Sequence, residues 1–293
     1  MRPVARAALT VLGGIAAAGC AATPPDLPRA AAEPVATDAA EPAVVLRDPA
    51  ITESSGLALG VVHPDVVYTV NDRGGGPVVY AVGPDGETVA TLQVGGARNV
   101  DWEDVAVTAD GHVLVADIGD NDAERADVTL YTFPEPEVLD DQTVRTVASR
   151  FRYDTGPANA EAVLVDPRTD RLCVVTKAED GEIHCADEPL TTSGGSGRAP
   201  QVLRLVAAAP GAVTSGGYSP DGSLYALRTT RRVLFFSAWD ARPVVVDLPA
   251  QPQGESLAWT ADGLSVLVGS EGATSSVLHV AVPDQLLEPE ADR

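Results

Sequence analysis

The residues of this chain best suited to chemistry are carboxylates. Glu53, Glu103, Glu161 and Glu255 each open a short apolar run, in ESSGLAL, EDVAV, EAVLV and ESLAW. Residues 99–121, NVDWEDVAVTADGHVLVADIGDN, hold two apolar-alternating runs joined by Ala109-Asp110-Gly111. Asp-Gly between such runs predicts a β-hairpin. That hairpin gathers Asp101, Glu103 and Asp104 near Asp117 and Asp120. Crowded carboxylates repel and cannot all stay ionised without compensation. A calcium ion compensates them, because it takes several oxygen ligands at once. The expected metal set is Glu103, Asp104, Asp117, Asp120 and Asn121. For 117–122, DIGDND, the competing reading is a plain turn, where Asp, Asn and Gly are favoured for backbone reasons.

The same end of the predicted hairpins carries Asn71, Asp72, Lys177, Arg228 and Glu271. With Glu53, Glu161 and Glu255 they form the expected ligand-binding ring. Lys177 and Arg228 are alternative counter-charges. Lys177 is the sole lysine of the chain, with Arg in every other basic role. Other chemistries lack their motifs. There is no Gly-x-Ser-x-Gly elbow. Arg73-Gly74-Gly75-Gly76 lacks the Lys-Ser/Thr of a phosphate loop. His63, His112, His184 and His279 have no zinc or triad spacing.

These residues need a scaffold of hairpins. Aromatics make up 4% of 293 residues, so the core must come from Val, Leu and Ala, and Val-rich short runs favour strands. Asp180, Asp221 and Asp262, each followed by Gly, recur 41 residues apart. Repeats of about that length with four short strands each predict an all-β chain folded as a β-propeller. We count five blades, their inner strands following Glu53, Glu103, Glu161, the GGYSPDG stretch at Gly217, and Glu255. Gly217 breaks the acidic pattern in the fourth. The last blade lacks an outer strand, and residues 43–47, AVVLR, are placed to supply it and close the ring. A six-bladed ring is the alternative, needing about 40 more residues than the chain offers.

The N-terminus reads as an export signal over 1–19: Arg2 and Arg6, a short apolar stretch, then Ala17-Ala18-Gly19-Cys20. Cys20 is placed for lipidation, which predicts a membrane-anchored lipoprotein on the extracytoplasmic face; simple secretion is the alternative. Residues 20–42 read as an Ala/Pro-rich disordered tether, 43–282 as the propeller and 283–293 as a C-terminal tail. Cys173 and Cys185 fall opposite each other in a hairpin centred on Glu179, which predicts a disulfide in an oxidising compartment. The stretch 187–200 reads as a long Gly/Ser-rich loop. A formal charge of −22 excludes nucleic-acid binding by phosphate neutralisation and leaves a lipid anchor as the membrane contact. The expected partner is an envelope protein or small ligand, and the chain is expected to be monomeric.

DWEDVAV, ADIGDN, NAEAVLV, VVTK, GGYSPDG and QGESLAW resemble secreted bacterial β-propellers loosely related to phytase-like and WD-repeat-like propellers. The resemblance spans roughly 53–271. It implies a calcium-binding acidic channel, with Glu103, Asp104, Asp117 and Asp120 as calcium ligands. It also implies phosphomonoester hydrolysis, with Lys177 and Arg228 as phosphate contacts. The chain departs from the phytases in its five expected blades against six and in its few basic residues. A ligand-binding propeller is therefore the leading expectation, a calcium-dependent phosphoester hydrolase the second, and an internal ion-pair network the third.

Overall fold

A computed structural model describes residues 40–192 and 199–287. The export signal, Cys20 and most of the tether lie outside them, as do 193–198 of the long loop and the end of the tail. The regular secondary structure of the described chain is almost wholly β. β1 (Ala40–Val45) starts three residues earlier than expected, inside the predicted tether. β2 (Ser54–Leu59), β3 (Val67–Asn71), β4 (Val78–Val82) and β5 (Thr88–Gly95) form one antiparallel meander. β6 (Trp102–Val107), β7 (His112–Asp117) and β8 (Val128–Pro134) follow, then β9 (Gln142–Arg145) and β10 (Val147–Tyr153). Next come β11 (Ala160–Val165), β12 (Leu172–Thr176), β13 (Gly181–Ala186) and β14 (Gln201–Ala209). β15 (Val213–Tyr218), β16 (Tyr225–Thr229), β17 (Arg232–Phe236) and β18 (Val244–Asp247) make a further meander. β19 (Gly254–Trp259), β20 (Ser265–Ser270) and β21 (Ser276–Ala281) complete the strands, and one turn of helix, α1 (Asp284–Leu287), ends the described chain.

Three strands pair beyond simple meanders. β9 leaves its own sheet and pairs in parallel with β5. β10 pairs antiparallel with β8 and in parallel with β14, fusing two meanders into one eight-stranded sheet. β1 pairs antiparallel with β21, so the N-terminal strand supplies the outer strand of the last sheet. Around the centre β2 packs on β6, β6 on β11, β11 on β15, β15 on β19, and β19 back on β2.

The core lies between successive sheets and is built largely from Val, Leu and Ala. Val70, Leu92, Val105 and Val115 fill one interface; Leu114, Val163 and Val174 fill the next. The hairpin turns repeat one device. In 108–112, 219–223 and 260–264 a Thr or Ser precedes Asp-Gly by two residues, and its hydroxyl donates to the Asp carboxylate. The Gly takes a positive φ of 76°, 69° and 69° respectively, a region that costs Gly least. Cys173 and Cys185 pair across β12 and β13 and are disulfide-bonded.

Candidate functional site: an acidic channel mouth

Every inner strand carries a register irregularity at the same place. The pairing skips between Ser54 and Gly56, Trp102 and Asp104, Ala160 and Ala162, Val213 and Ser215, and Gly254 and Leu257. Such bulges re-aim a side chain. They bring Ser55, Glu103, Glu161, Thr214 and Glu255 to equivalent positions around one end of the channel. This register corrects the sequence alignment of the ring. Ser55, not Glu53, matches the glutamates in the first repeat, and Thr214, not Gly217, matches them in the fourth. Both hydroxyls stitch neighbouring strands: Ser55 Oγ donates to the Glu103 carbonyl at 2.8 Å and Thr214 Oγ1 to the Glu255 carbonyl at 2.9 Å. Glu53 is exposed, one residue ahead of β2.

Three carboxylates converge. Asp72, Asp101 and Glu103 each present an oxygen within 4.8 Å of the others. Asn99 donates to the Asn71 and Asp72 carbonyls, which sets the chain leading into Asp72. The Asp101 N–H donates to Asp117, and its carbonyl accepts from Gly119 at 3.1 Å. Asp101 Oδ1 is buried with no hydrogen-bond partner. Burial, together with Glu161, Asp72 and Asp101, pushes Glu103 up to about 10. Asp101 is raised by burial and by Asp72, against Arg73 and Arg125. This cluster holds more negative charge than it can keep near neutral pH.

Beside it, Lys177 Nζ sits 2.5 Å from Glu161 Oε2. Burial works against the Lys177 ammonium, but Glu161, Glu255 and Glu103 outweigh it and hold its pKa above the ordinary value. Burial pushes Glu161 up to about 7 against the pull of Lys177. Burial, then Glu255, Asp72 and Glu53, push Glu271 to about 7 as well. Glu255 is also raised, by burial first, against Lys177. Asp72, Asp101, Glu103, Glu161, Lys177, Glu255 and Glu271 therefore form one electrostatic unit.

Other expected site residues have structural work instead. Asp104 is buried: Oδ2 accepts from the Val163 N–H at 2.9 Å and Oδ1 from Ser215 Oγ at 3.4 Å, joining three inner strands. Asp117 is paired with Arg125 at 2.8 Å. Asp120 accepts the N–H groups of Glu124 and Arg125, and Asn121 is exposed and accepts from Asn159. Within 117–122, Asp117, Asp120 and Asn121 are thus engaged in local contacts. Asn71 Oδ1 accepts from Thr52 and Glu53 N–H. Arg228 is fully buried and donates to the carbonyls of Ser256 and Gly269 and to Gln251 Oε1.

The sequence reading omitted Asp101 from the metal set, although it stands in the same acidic stretch. Arg125 carries no motif. Gly119 was also missed; a Cβ there would lie 2.3 Å from Glu103 Oε1 and 2.5 Å from Asp101 Oδ2. Its lack of a side chain makes the space the two carboxylates occupy. Gly119→Ala is expected to displace both at a cost of about 1–3 kcal/mol and to abolish any calcium-induced rise in melting temperature. Calorimetry with and without calcium checks this; an undiminished calcium response in the variant would show that the space is not needed.

No protein-family description matches the sequence, and no curated protein matches it. Among solved structures, the PQQ-bound aldose sugar dehydrogenase from Streptomyces coelicolor aligns with a TM-score of 0.50 at 11% identity, over 86% of this chain and 100% of that one. A gluconolactonase from Xanthomonas campestris aligns with a TM-score of 0.48 at 14% identity, over 82% and 89%. At such identities the likeness speaks to fold alone. With its inner strands packed in a ring and its sheets radiating from them, this chain is an all-β protein of the β-propeller fold.

Proposed function

We propose that the chain is a five-bladed propeller that binds a calcium ion through Asp72, Asp101 and Glu103 and uses the occupied mouth to hold a small polar ligand. One observation carries the reading: Asp72, Asp101 and Glu103 each present an oxygen within 4.8 Å of the others, with Asp101 and Glu103 buried. Hard oxygen donors suit calcium, and a dication offsets the burial and the like-charge repulsion that together raise Glu103. Asp104, Asp117, Asp120 and Asn121 are not in this ligand set. The five-blade count is supported by the ring of β2, β6, β11, β15 and β19, with the eight-stranded sheet counted as two blades.

Glu161, Lys177, Glu255 and Glu271 supply hydrogen-bond groups around the cation. Their balance is negative, which suits a neutral, hydroxyl-rich ligand better than an anion. The aldose sugar dehydrogenase sharing the fold acts on a sugar, in keeping with that class. The phosphoester alternative loses one of its cationic contacts, because Arg228 is sealed against backbone carbonyls. It keeps one supporting feature: burial and the neighbouring carboxylates push Glu103 up to about 10, the direction a general acid requires. Export and anchoring at Cys20 belong to the same proposal, supported by the Cys173–Cys185 disulfide, which persists in oxidising compartments.

The test is thermal unfolding with calcium and with chelator. At a hundredfold excess over the dissociation constant, calcium adds about 2.7 kcal/mol, a rise on the order of 5–10 °C for a domain of this size. The rise should vanish in Asp101→Asn and Glu103→Gln. No rise in the parent protein would overturn the cation site. Turnover of p-nitrophenyl phosphate that is lost in Glu103→Ala would replace the binding reading with the hydrolytic one.

A further inference from the structure

The channel has a second end. Opposite the carboxylates, the later residues of the inner strands and the hairpin loops beyond them enclose a cavity of about 340 Å³. Sites for small molecules run roughly 300–1,000 Å³. Leu57, Val105, Val163 and Leu257, two residues past the bulged positions, form its inner end; Tyr218 and Trp259 stand nearer the rim. No residue lining it carries a charge, in a chain of which 21% is Asp, Glu, Lys or Arg. The Trp259 indole N–H is satisfied by the Gly217 carbonyl at 2.9 Å.

We infer that this cavity binds an uncharged, predominantly apolar small molecule, at a site separate from the acidic mouth. The absence of charge selects against ions and strongly polar ligands, whose desolvation nothing here would repay. Depth selects a small molecule over a protein face. From Leu57 to the end of β2 at Leu59 the cavity runs two strand steps, about 7 Å, before it reaches the loop at Val61 and Pro64. A flat partner would cover the rim and leave that depth empty, forfeiting contacts.

The rim is preorganised. Glu135, buried, accepts the N–H groups of Val61, Val62 and His63 at 2.8–3.0 Å and the Tyr68 hydroxyl at 3.1 Å. That carboxylate pins the loop that brings Val61 and Pro64 to the cavity edge. Val61 is 51% exposed and Val62 47%, apolar surface at the entrance.

Gly217 offers a plug. A Cβ there would meet Trp259 at 3.4 Å and Leu257 at 3.9 Å, ordinary contact distances, and the glycine has no positive φ. Gly216 leaves no such room, its Cβ falling 2.9 Å from the Ala226 carbonyl. The experiment is a fluorescence titration of the full chain with N-phenyl-1-naphthylamine, an uncharged apolar probe. Saturable one-to-one binding is expected, with quenching of tryptophan emission that falls in Trp259→Phe. Gly217→Leu should weaken binding at least tenfold while leaving the melting temperature and calcium response near the parent's. Val61→Asp, at an exposed position, should weaken it several-fold. Asp101→Asn, at the other mouth, should leave it unchanged. Absent or non-saturable binding, or equal affinity in folded Gly217→Leu, overturns the inference.

Discussion

Arg228→Ala is expected to lower the unfolding free energy by about 3–5 kcal/mol. The side chain leaves β16 and is fully buried. Its guanidinium donates to the carbonyls of Ser256 and Gly269, on β19 and β20, and to Gln251 at 2.5 Å. Gln251 passes the connection on to the Ser276 carbonyl at 3.2 Å. Gly254 is kept bare of a side chain by the same group, since a Cβ would fall 2.3 Å from Nη2. Burial disfavours the charge and Glu255 partly restores it. Truncation removes a large packed volume and also leaves the two backbone carbonyls and the Gln251 amide oxygen without their donor. Arg228→Met refills the volume and should recover part of the loss; Arg228→Lys places all its donors on one nitrogen and cannot span acceptors that Nη1 and Nη2 serve separately. Urea unfolding checks this through a lowered midpoint at unchanged slope. A loss under 1 kcal/mol, with ligand binding abolished, would return Arg228 to the contact role first assigned to it.

Asp104 teaches the same lesson about what sequence shows. Its place beside Glu103 marks it as a ligand candidate, yet one residue's difference across a β-bulge turns Glu103 into the mouth and Asp104 into the frame. A period-two pattern cannot display that skip, because the skip is defined by the partner strand. Local signals were legible. The Asp-Gly turns at 110, 221 and 262 mark hairpins, the Cys173–Cys185 separation sets a cross-strand pair, and the lone apolar run ahead of the first repeat supplies an outer strand. Long-range pairings were not. β9 joins a sheet whose nearest strand ended some 47 residues earlier in sequence, at Gly95 against Gln142. Asp101 was visible in the acidic stretch but not as a ligand, because its approach to Asp72 depends on the chain from one repeat meeting the next.

The metal-free domain should lose stability as pH rises from 5 to 8. Folding holds several carboxyls above their ordinary values. Burial and like-charged neighbours put Glu161 and Glu271 at about 7 and Glu103 at about 10. The unfolded chain ionises these glutamates near 4.5. Between that pH and the folded values the native state binds more protons than the unfolded one, so stability falls as protons leave. The contribution is complete below about 4.5, and is lost through about 7 for Glu161 and Glu271 and only near 10 for Glu103. Glu161 is 4% exposed, and its shift corresponds to a loss on the order of 3 kcal/mol. Glu271 is partly exposed and screened, and adds less. The acid side is set by groups shifted the other way. Asp221 is held down by the Ser223 N–H and then the Ser219 hydroxyl, and Asp262 by the Thr260 hydroxyl and then the Leu264 N–H. Their stabilisation is present above the ordinary aspartate value and disappears below it, so the metal-free optimum lies near pH 5. Calcium reverses the alkaline slope, because binding requires the deprotonated carboxylates and releases their protons. The calcium-induced rise in melting temperature is therefore expected to be small at pH 5 and largest at pH 8. Melting curves from pH 4 to 9, with chelator and with calcium, test both parts. Metal-free stability that stays level or climbs from pH 5 to 8 would mean that the mouth compensates its own charge through Lys177, and the need for a cation would go with it.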